Sequence, residues 1–211
     1  PLAPLLDAVL IGEIEPVFDR LTEALLQTEQ GRNQALQALA QVPGIYLPQA
    51  LPAKGETRPV QRPWSRSLDA SPTHSVLWTP DTEFADTGLI EIARGCGRGC
   101  RFCLAGYAYR PPRYRSADLV LEQAQKLMNN GPRLGLVSAA VSDHPEIDRI
   151  AAELRARGAQ LSVSSMRADP ISEPLLAALA ESGARTLTIA PEAGSERLRA
   201  VINKTQTEED V

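Results

Sequence analysis

Apolar and polar positions change rhythm along this chain, and the changes mark its parts. Residues 7–11, Asp-Ala-Val-Leu-Ile, read as a short buried strand that ends at Gly12. A helix is expected over 13–27. Phe18, Leu21, Leu25 and Leu26 recur there at helical spacing, and Pro16 suits a first turn. A second helix is expected over 33–41, closed by Pro43. Between 43 and 86 the periodicity fades. Pro43, Pro48, Pro52, Pro59, Pro63, Pro72 and Pro80 punctuate an extended connector. Residues 45–47 and 75–78 are its short strand candidates, and Trp64 and Trp78 its packing anchors.

From residue 88 onward the pattern becomes regular. Strands are expected at 88–93, 134–139, 161–165 and 186–190. Helices are expected at 116–129, 145–157, 172–182 and 195–203. Ser116, Ser172 and Ser195 stand where an N-cap is wanted, and Gly158 and Gly183 where a helix closes. Val120, Ala124, Leu127 and Met128 share one helical face, as do Ile147, Ile150, Ala151 and Leu154. Four strand–helix units in succession imply an α/β fold with a parallel sheet, because parallel strands need crossover connections. An open doubly wound sheet and a (β/α) barrel both satisfy the pattern. At the end, Thr207-Glu208-Glu209-Asp210 has the form of a helix-opening capping box. The sequence therefore reads as cut inside structural elements at both ends.

Composition narrows the function classes. Hydrophobic residues make up 43% and charged residues 23%, an ordinary globular balance. A net charge of −4 gives no general argument for nucleic acid or membrane surfaces. No apolar run is long enough to cross a bilayer. All three cysteines, Cys96, Cys100 and Cys103, lie within eight residues. An odd number packed this tightly argues against a disulfide framework and for reduced thiols in the cytoplasm, used as metal ligands.

The spacing is C-x3-C-x2-C, directly after an expected strand. Thiolates suit iron–sulfur clusters and zinc. A cubane [4Fe–4S] cluster normally takes four protein thiolates, so three would leave one iron open to a small ligand. Gly95, Gly97 and Gly99 let the backbone approach cluster sulfurs. Three other readings stay open: a Cys3His zinc site completed by His74 or His144, a cluster of structural cysteines, and a redox pair of Cys100 and Cys103.

C-x3-C-x2-C with aromatic Phe102 before the last cysteine resembles the signature of the radical S-adenosylmethionine (SAM) superfamily. The resemblance implies a [4Fe–4S] cluster on Cys96, Cys100 and Cys103 and Phe102 beside the SAM adenine. It also implies reductive cleavage of SAM to methionine and a 5′-deoxyadenosyl radical, fed by a flavodoxin- or ferredoxin-type reductase. The Asp7–Gly12–Glu13 segment is similar to the last strand and turn of the cobalamin-binding-like domain found upstream in many members. On that likeness, 1–42 is the remnant of a Rossmann-like cobalamin-binding-like domain, 43–86 a connector, and 87–211 a partial (β/α) barrel of about four units, truncated at its C-terminus. Cobalamin would then belong to a longer protein and not to this piece. The substrate is not implied.

Barrel sites collect where strands end. The second strand often ends in Gly-Gly-Glu in this family, and Ser142-Asp143-His144 stands there instead. The resemblance makes Ser142 and Asp143, Ser165 and Arg167, and Glu192 the SAM contacts, Arg167 toward the carboxylate. The competing reading makes the serines caps and Arg167 an ordinary charge. His144 is a capping residue or a proton carrier. Six arginines and no acid lie between Arg94 and Arg115, interleaved with Tyr107, Tyr109 and Tyr114. They read as a solvated loop balancing an anionic cluster, or as a surface for an anionic substrate or nucleic acid.

Overall fold

The computed structural model describes residues 5–50, 59–164 and 166–211. The chain divides into two compact units, Pro1–Arg66 and Ser67–Val211. The division falls inside the stretch expected as a connector.

In Pro1–Arg66, strand β1 (Val9–Leu10) pairs antiparallel with β2 (Ile45–Tyr46), Val9 opposite Tyr46. Helices α1 (Phe18–Leu26) and α2 (Arg32–Leu39) lie between them in sequence. The strand expected over 7–11 is thus shorter and only half-buried. A 3-10 turn, Glu15–Val17, carries Pro16 at its start. The buried core is Val17, Ala24, Leu39 and Val42. Of the four apolar positions expected to face inward from α1, only Leu21 packs on that core; Phe18, Leu25 and Leu26 are exposed. The connector's first part folds back within this unit. Glu13 N–H donates to the Pro63 carbonyl and the Glu13 carboxylate accepts from Ser65 N–H. Gly12, at φ 144°, lies so close to Pro63 that an added Cβ would sit 2.6 Å from its carbonyl oxygen.

In Ser67–Val211 three parallel strands form one sheet in sequence order: β3 (Gly88–Glu91), β6 (Arg133–Val137) and β7 (Gln160–Val163). Ile90 pairs with Leu136, and Leu134 with Leu161. Helix α4 (Ala117–Met128) crosses from β3 to β6, and α5 (Ile147–Ala156) from β6 to β7; α6 (Glu173–Glu181) follows. Their apolar faces meet Ile90, Leu134, Leu136 and Leu161 in a single core. Val120, Ala124, Ile150, Ala151 and Leu154 are fully buried, as their spacing predicts. Val120, Ile150 and Leu154 each contribute about 1.5–3 kcal/mol by leaving water. Leu89, Gly135 and Ser162 lie on the other face of the sheet, where a Cβ on Gly135 would meet the Leu89 side chain at 2.6 Å.

The helix caps act as expected. Ser116, Ser172 and Ser195 accept from Leu119, Leu175 and Leu198 N–H, each satisfying one donor that the first turn leaves orphaned. Ser195 opens the short α7 (Glu196–Val201). Thr207 and Asp210 make the reciprocal bonds of a capping box. The expected fourth strand differs. Residues 184–190 carry no regular structure. Thr186, Leu187 and Thr188 instead line a cavity of about 310 Å³ with Leu161, Val163 and Leu179. Among the described residues the parallel sheet therefore has three strands where about four units were expected.

Candidate iron–sulfur and SAM site

The strand expected over 88–93 breaks after Glu91 and resumes as β4 (Ala93–Arg94), which pairs antiparallel with β5 (Arg113–Tyr114). This two-stranded stem holds residues 95–112 as a loop, with the short helix α3 (Ala105–Ala108) in its middle. Gly95, at φ 84°, turns the chain out of the stem. A Cβ there would lie 2.2 Å from the Tyr109 carbonyl oxygen, so no larger residue fits without moving the backbone. Gly99 also has positive φ, 66°.

All three cysteines are free thiols; Cys100 is buried and Cys96 and Cys103 half-buried. Arg98 N–H donates to Cys96 Sγ at 3.4 Å, and Cys103 N–H to the Cys100 carbonyl at 3.2 Å. Among the described residues no three His, Cys, Asp or Glu side chains converge on a point that could hold a single ion. A cubane does not require that convergence, because each thiolate binds a different iron. Three unbridged thiols on one loop, with a backbone donor at one sulfur, suit such a cluster in donor chemistry. A Cys3His zinc site gains no support from His144. Its Nε2 lies 2.9 Å from the Arg115 carbonyl and its Nδ1 accepts from Glu146 N–H.

The loops after β6 and β7 reach the cysteine loop through charge. Arg98 makes a two-pronged contact to Asp143, Nε to Oδ2 at 2.9 Å and Nη2 to Oδ1 at 2.6 Å. Its Nη2 also donates to the Asp169 carbonyl at 3.2 Å, and Nη1 lies 3.5 Å from Asp169 Oδ2. Arg167 grips the same Asp169 carboxylate at 2.8 and 3.2 Å. The hydrogen bonds that Arg98 donates to Asp143 are the main cause holding its guanidinium more firmly protonated than usual. A third contact comes from the C-terminal side. Arg101 N–H donates to the Ile202 carbonyl, and Asn203 Nδ2 to the Gly99 carbonyl at 2.7 Å.

The expected SAM contacts fare differently. Asp143 and Arg167 are engaged in these ion pairs. Ser142 is buried, and its Oγ accepts from Arg167 N–H at 3.3 Å. Glu192, at φ 70°, lies 3.6 Å from Lys204 Nζ. Phe102 is 53% exposed beside the thiols. Ser165 lies outside the described residues. Arg98 and Asp169 were not singled out by sequence reasoning. Their only signal was an arginine inside the cysteine spacing and an aspartate at a strand end. A cavity of about 570 Å³ opens beside the loop, lined by Gly97, Arg98, Tyr114, Asp143, His144 and Ser172. Tyr114 meets His144 edge-on, ring centroids 5.4 Å apart. Burial pushes the Tyr114 hydroxyl upward, helped by Asp143 and Cys96.

Of the six arginines in the run, Arg113 and Arg115 are buried, Arg94 and Arg98 half-buried, and Arg101 and Arg110 exposed. Arg115 is 1% exposed; it bonds Glu91 at 2.6 Å, Thr73 at 2.9 Å and the carbonyls of Leu68 and Ser71. Arg94 takes both oxygens of the same Glu91. Arg113 is buried on the Pro111 and Tyr109 carbonyls. Arg110 stacks over the Tyr107 ring at 5.0 Å.

Residues 90–211, more than half of the chain and including the whole cysteine loop, match the family model described as the radical SAM superfamily. The chain belongs to that superfamily. It is also 33% identical over 221 residues to an uncharacterized protein of Methanocaldococcus jannaschii. That alignment covers all of this chain and 44% of the relative, so the chain spans less than half the relative's length. Radical SAM members are generally enzymes that carry an iron–sulfur cluster and bind SAM. No helix among the described residues is long and apolar enough to cross a membrane.

Proposed function

We propose that this chain is the cluster- and SAM-binding part of a radical SAM enzyme, with Cys96, Cys100 and Cys103 as cluster ligands. The observation that carries the reading is the trio of free thiols on one loop, raised on the β4–β5 stem directly after the first parallel strand. When bound, a [4Fe–4S] cluster supplies the electron that cleaves SAM to methionine and a 5′-deoxyadenosyl radical. The stem and Gly95 hold the loop's turn, and Arg98 N–H stabilises negative charge on the Cys96 sulfur. Phe102, exposed beside the thiols, offers a flat apolar surface for adenine. Glu192 keeps a half-exposed carboxylate for the SAM amino group. Ser142, Asp143 and Arg167 serve the loop's packing instead. Ser165 stays a candidate by its place after β7.

The sequential strand order and the single helix-covered face support a segment of (β/α) barrel, with its site at the strand ends. Cobalamin forms no part of the proposal. The electron would come from a flavodoxin- or ferredoxin-type reductase in the cytoplasm.

Anaerobic reconstitution with iron and sulfide tests the reading. Four irons per chain and 5′-deoxyadenosine formed from SAM on chemical reduction are expected. Cys100→Ala should lose the cluster, and Phe102→Ala should keep the iron and weaken SAM binding. Full iron content in Cys100→Ala would overturn the ligand assignment.

A further inference from the structure

Arg98 sits midway between Cys96 and Cys100, and it joins three loops that are remote in sequence. Its side chain spans 45 residues to Asp143, after β6, and 71 residues to Asp169, after β7. Its main chain touches Cys96 Sγ. One residue therefore ties a cysteine sulfur to the loops that follow β6 and β7.

An exposed ion pair would contribute little, because long side chains lose freedom and water screens the charge. This one differs in geometry. The guanidinium fork meets the Asp143 carboxylate with two parallel bonds, and the Asp143 side chain is 13% exposed. The Asp169 carboxylate is itself fixed by Arg167, so the anchor does not swing. Two cations and two carboxylates balance to zero in this group. An arginine held at its side-chain end limits how far its own backbone can move, and that backbone carries the N–H donated to the Cys96 sulfur.

Resting on the cluster reading above, we propose that Arg98 is a positioning residue, locked by Asp143 and Asp169. It sets the cysteine loop before a cluster is present and raises the cluster's reduction potential afterwards. The first effect is preorganisation: the loop's shape does not have to be created by the metal. The second follows from charge. Reduction adds an electron to an already anionic core, and a backbone donor and a nearby cation both stabilise the reduced form. Nothing else in the group need touch SAM or substrate.

Two measurements test the two halves separately. In the cluster-free chain, hydrogen exchange at the amides of residues 97–101 is followed for wild type, Arg98→Gln, Arg98→Lys and Asp143→Asn. All three variants should exchange faster there, with the amides of α4 and α5 unchanged as a folding control. In reconstituted protein the midpoint potential is read by EPR-monitored titration. Arg98→Gln removes the cation and should shift the potential downward. Asp143→Asn removes the opposing anion and should shift it upward. Arg98→Lys keeps the charge without the fork, and should shift it less than Arg98→Gln. Unchanged exchange in all variants would overturn the preorganisation, and shifts of one sign in Arg98→Gln and Asp143→Asn would overturn the electrostatic role. If no cluster assembles in the wild type, the cluster reading fails, while the exchange result still decides the tether.

Discussion

In Ser67–Val211 the apolar faces of three helices and three strands meet in one core, whereas in Pro1–Arg66 much of the apolar face of α1 meets water. Both regions show clear helical periodicity. Periodicity states which side chains share a face; it does not state that anything covers the face. In the larger unit the sheet supplies the cover, because each crossover returns its helix to the same side. In the smaller unit, among the described residues, α2, two short strands and the turns around them supply the cover, and the buried cluster is Val17, Ala24, Leu39 and Val42. Small apolar cores leave little margin over conformational entropy. One tryptophan lies in each unit, Trp64 and Trp78, so fluorescence can follow the two separately in single-tryptophan variants.

The largest expected difference between the units comes from Arg115. Its guanidinium gathers Glu91, Thr73 and two carbonyls where the chain enters α4, and it is almost wholly buried. Removing one partner of such a group leaves the others desolvated and unmatched. Arg115→Leu should cost about 3–5 kcal/mol by that reasoning, seen as an earlier urea midpoint for Trp78 with Trp64 replaced by Phe. The Trp64 signal, with Trp78 replaced, should hold its midpoint. Parallel loss of both signals would show the units unfolding as one.

A smaller effect sharpens the contrast in packing. Leu154 is fully buried on α5, and Leu26 is 70% exposed on α1. Leu154→Ala should cost about 2–5 kcal/mol, from lost transfer energy and a residual cavity. Leu26→Ala should change stability by no more than about 0.5 kcal/mol. A cost for Leu26→Ala as large as that for Leu154→Ala would mean that the α1 face is covered in solution.

The same contrast explains what the sequence could and could not disclose. Helices α4, α5 and α6 were legible from local signals: apolar spacing in α4 and α5, the Ser116 and Ser172 caps that open α4 and α6, and Gly158 and Gly183 after α5 and α6. The family was legible in the C-x3-C-x2-C spacing, which is local. Strand 186–190 was misread because strand formation is two-sided: its own residues suit a strand, but no ladder forms with β7. The Arg98–Asp143 pair was invisible for a related reason. Its members come together only once β3 and β6 lie side by side, and that adjacency is a property of the sheet. The arginine run was only partly legible from composition, because counting charges says nothing about Glu91, which neutralises two of them from outside the run.

The smallest expected effect separates the units by pH. Both histidines, His74 and His144, belong to Ser67–Val211. His144 is 2% exposed. Its Nδ1 accepts from Glu146 N–H, so Nε2 carries the proton and donates to the Arg115 carbonyl. A second proton would have to displace the Glu146 bond in a dry site. Burial holds His144 below its ordinary value, with the Arg115 carbonyl and the Glu146 carboxylate opposing that shift in part. The unfolded chain binds this proton near pH 6.5. Above that pH neither state is protonated and His144 adds no slope. Below it the unfolded state binds more protons than the folded one, so stability falls as pH falls toward the folded value. The Trp78 melting temperature should therefore decline between pH 7 and pH 5, and decline less steeply in His144→Gln. His74 is present in both proteins, so its contribution cancels in the difference. The Trp64 signal should lack this slope. An equal slope in wild type and His144→Gln would mean that protonation of this ring costs the fold nothing.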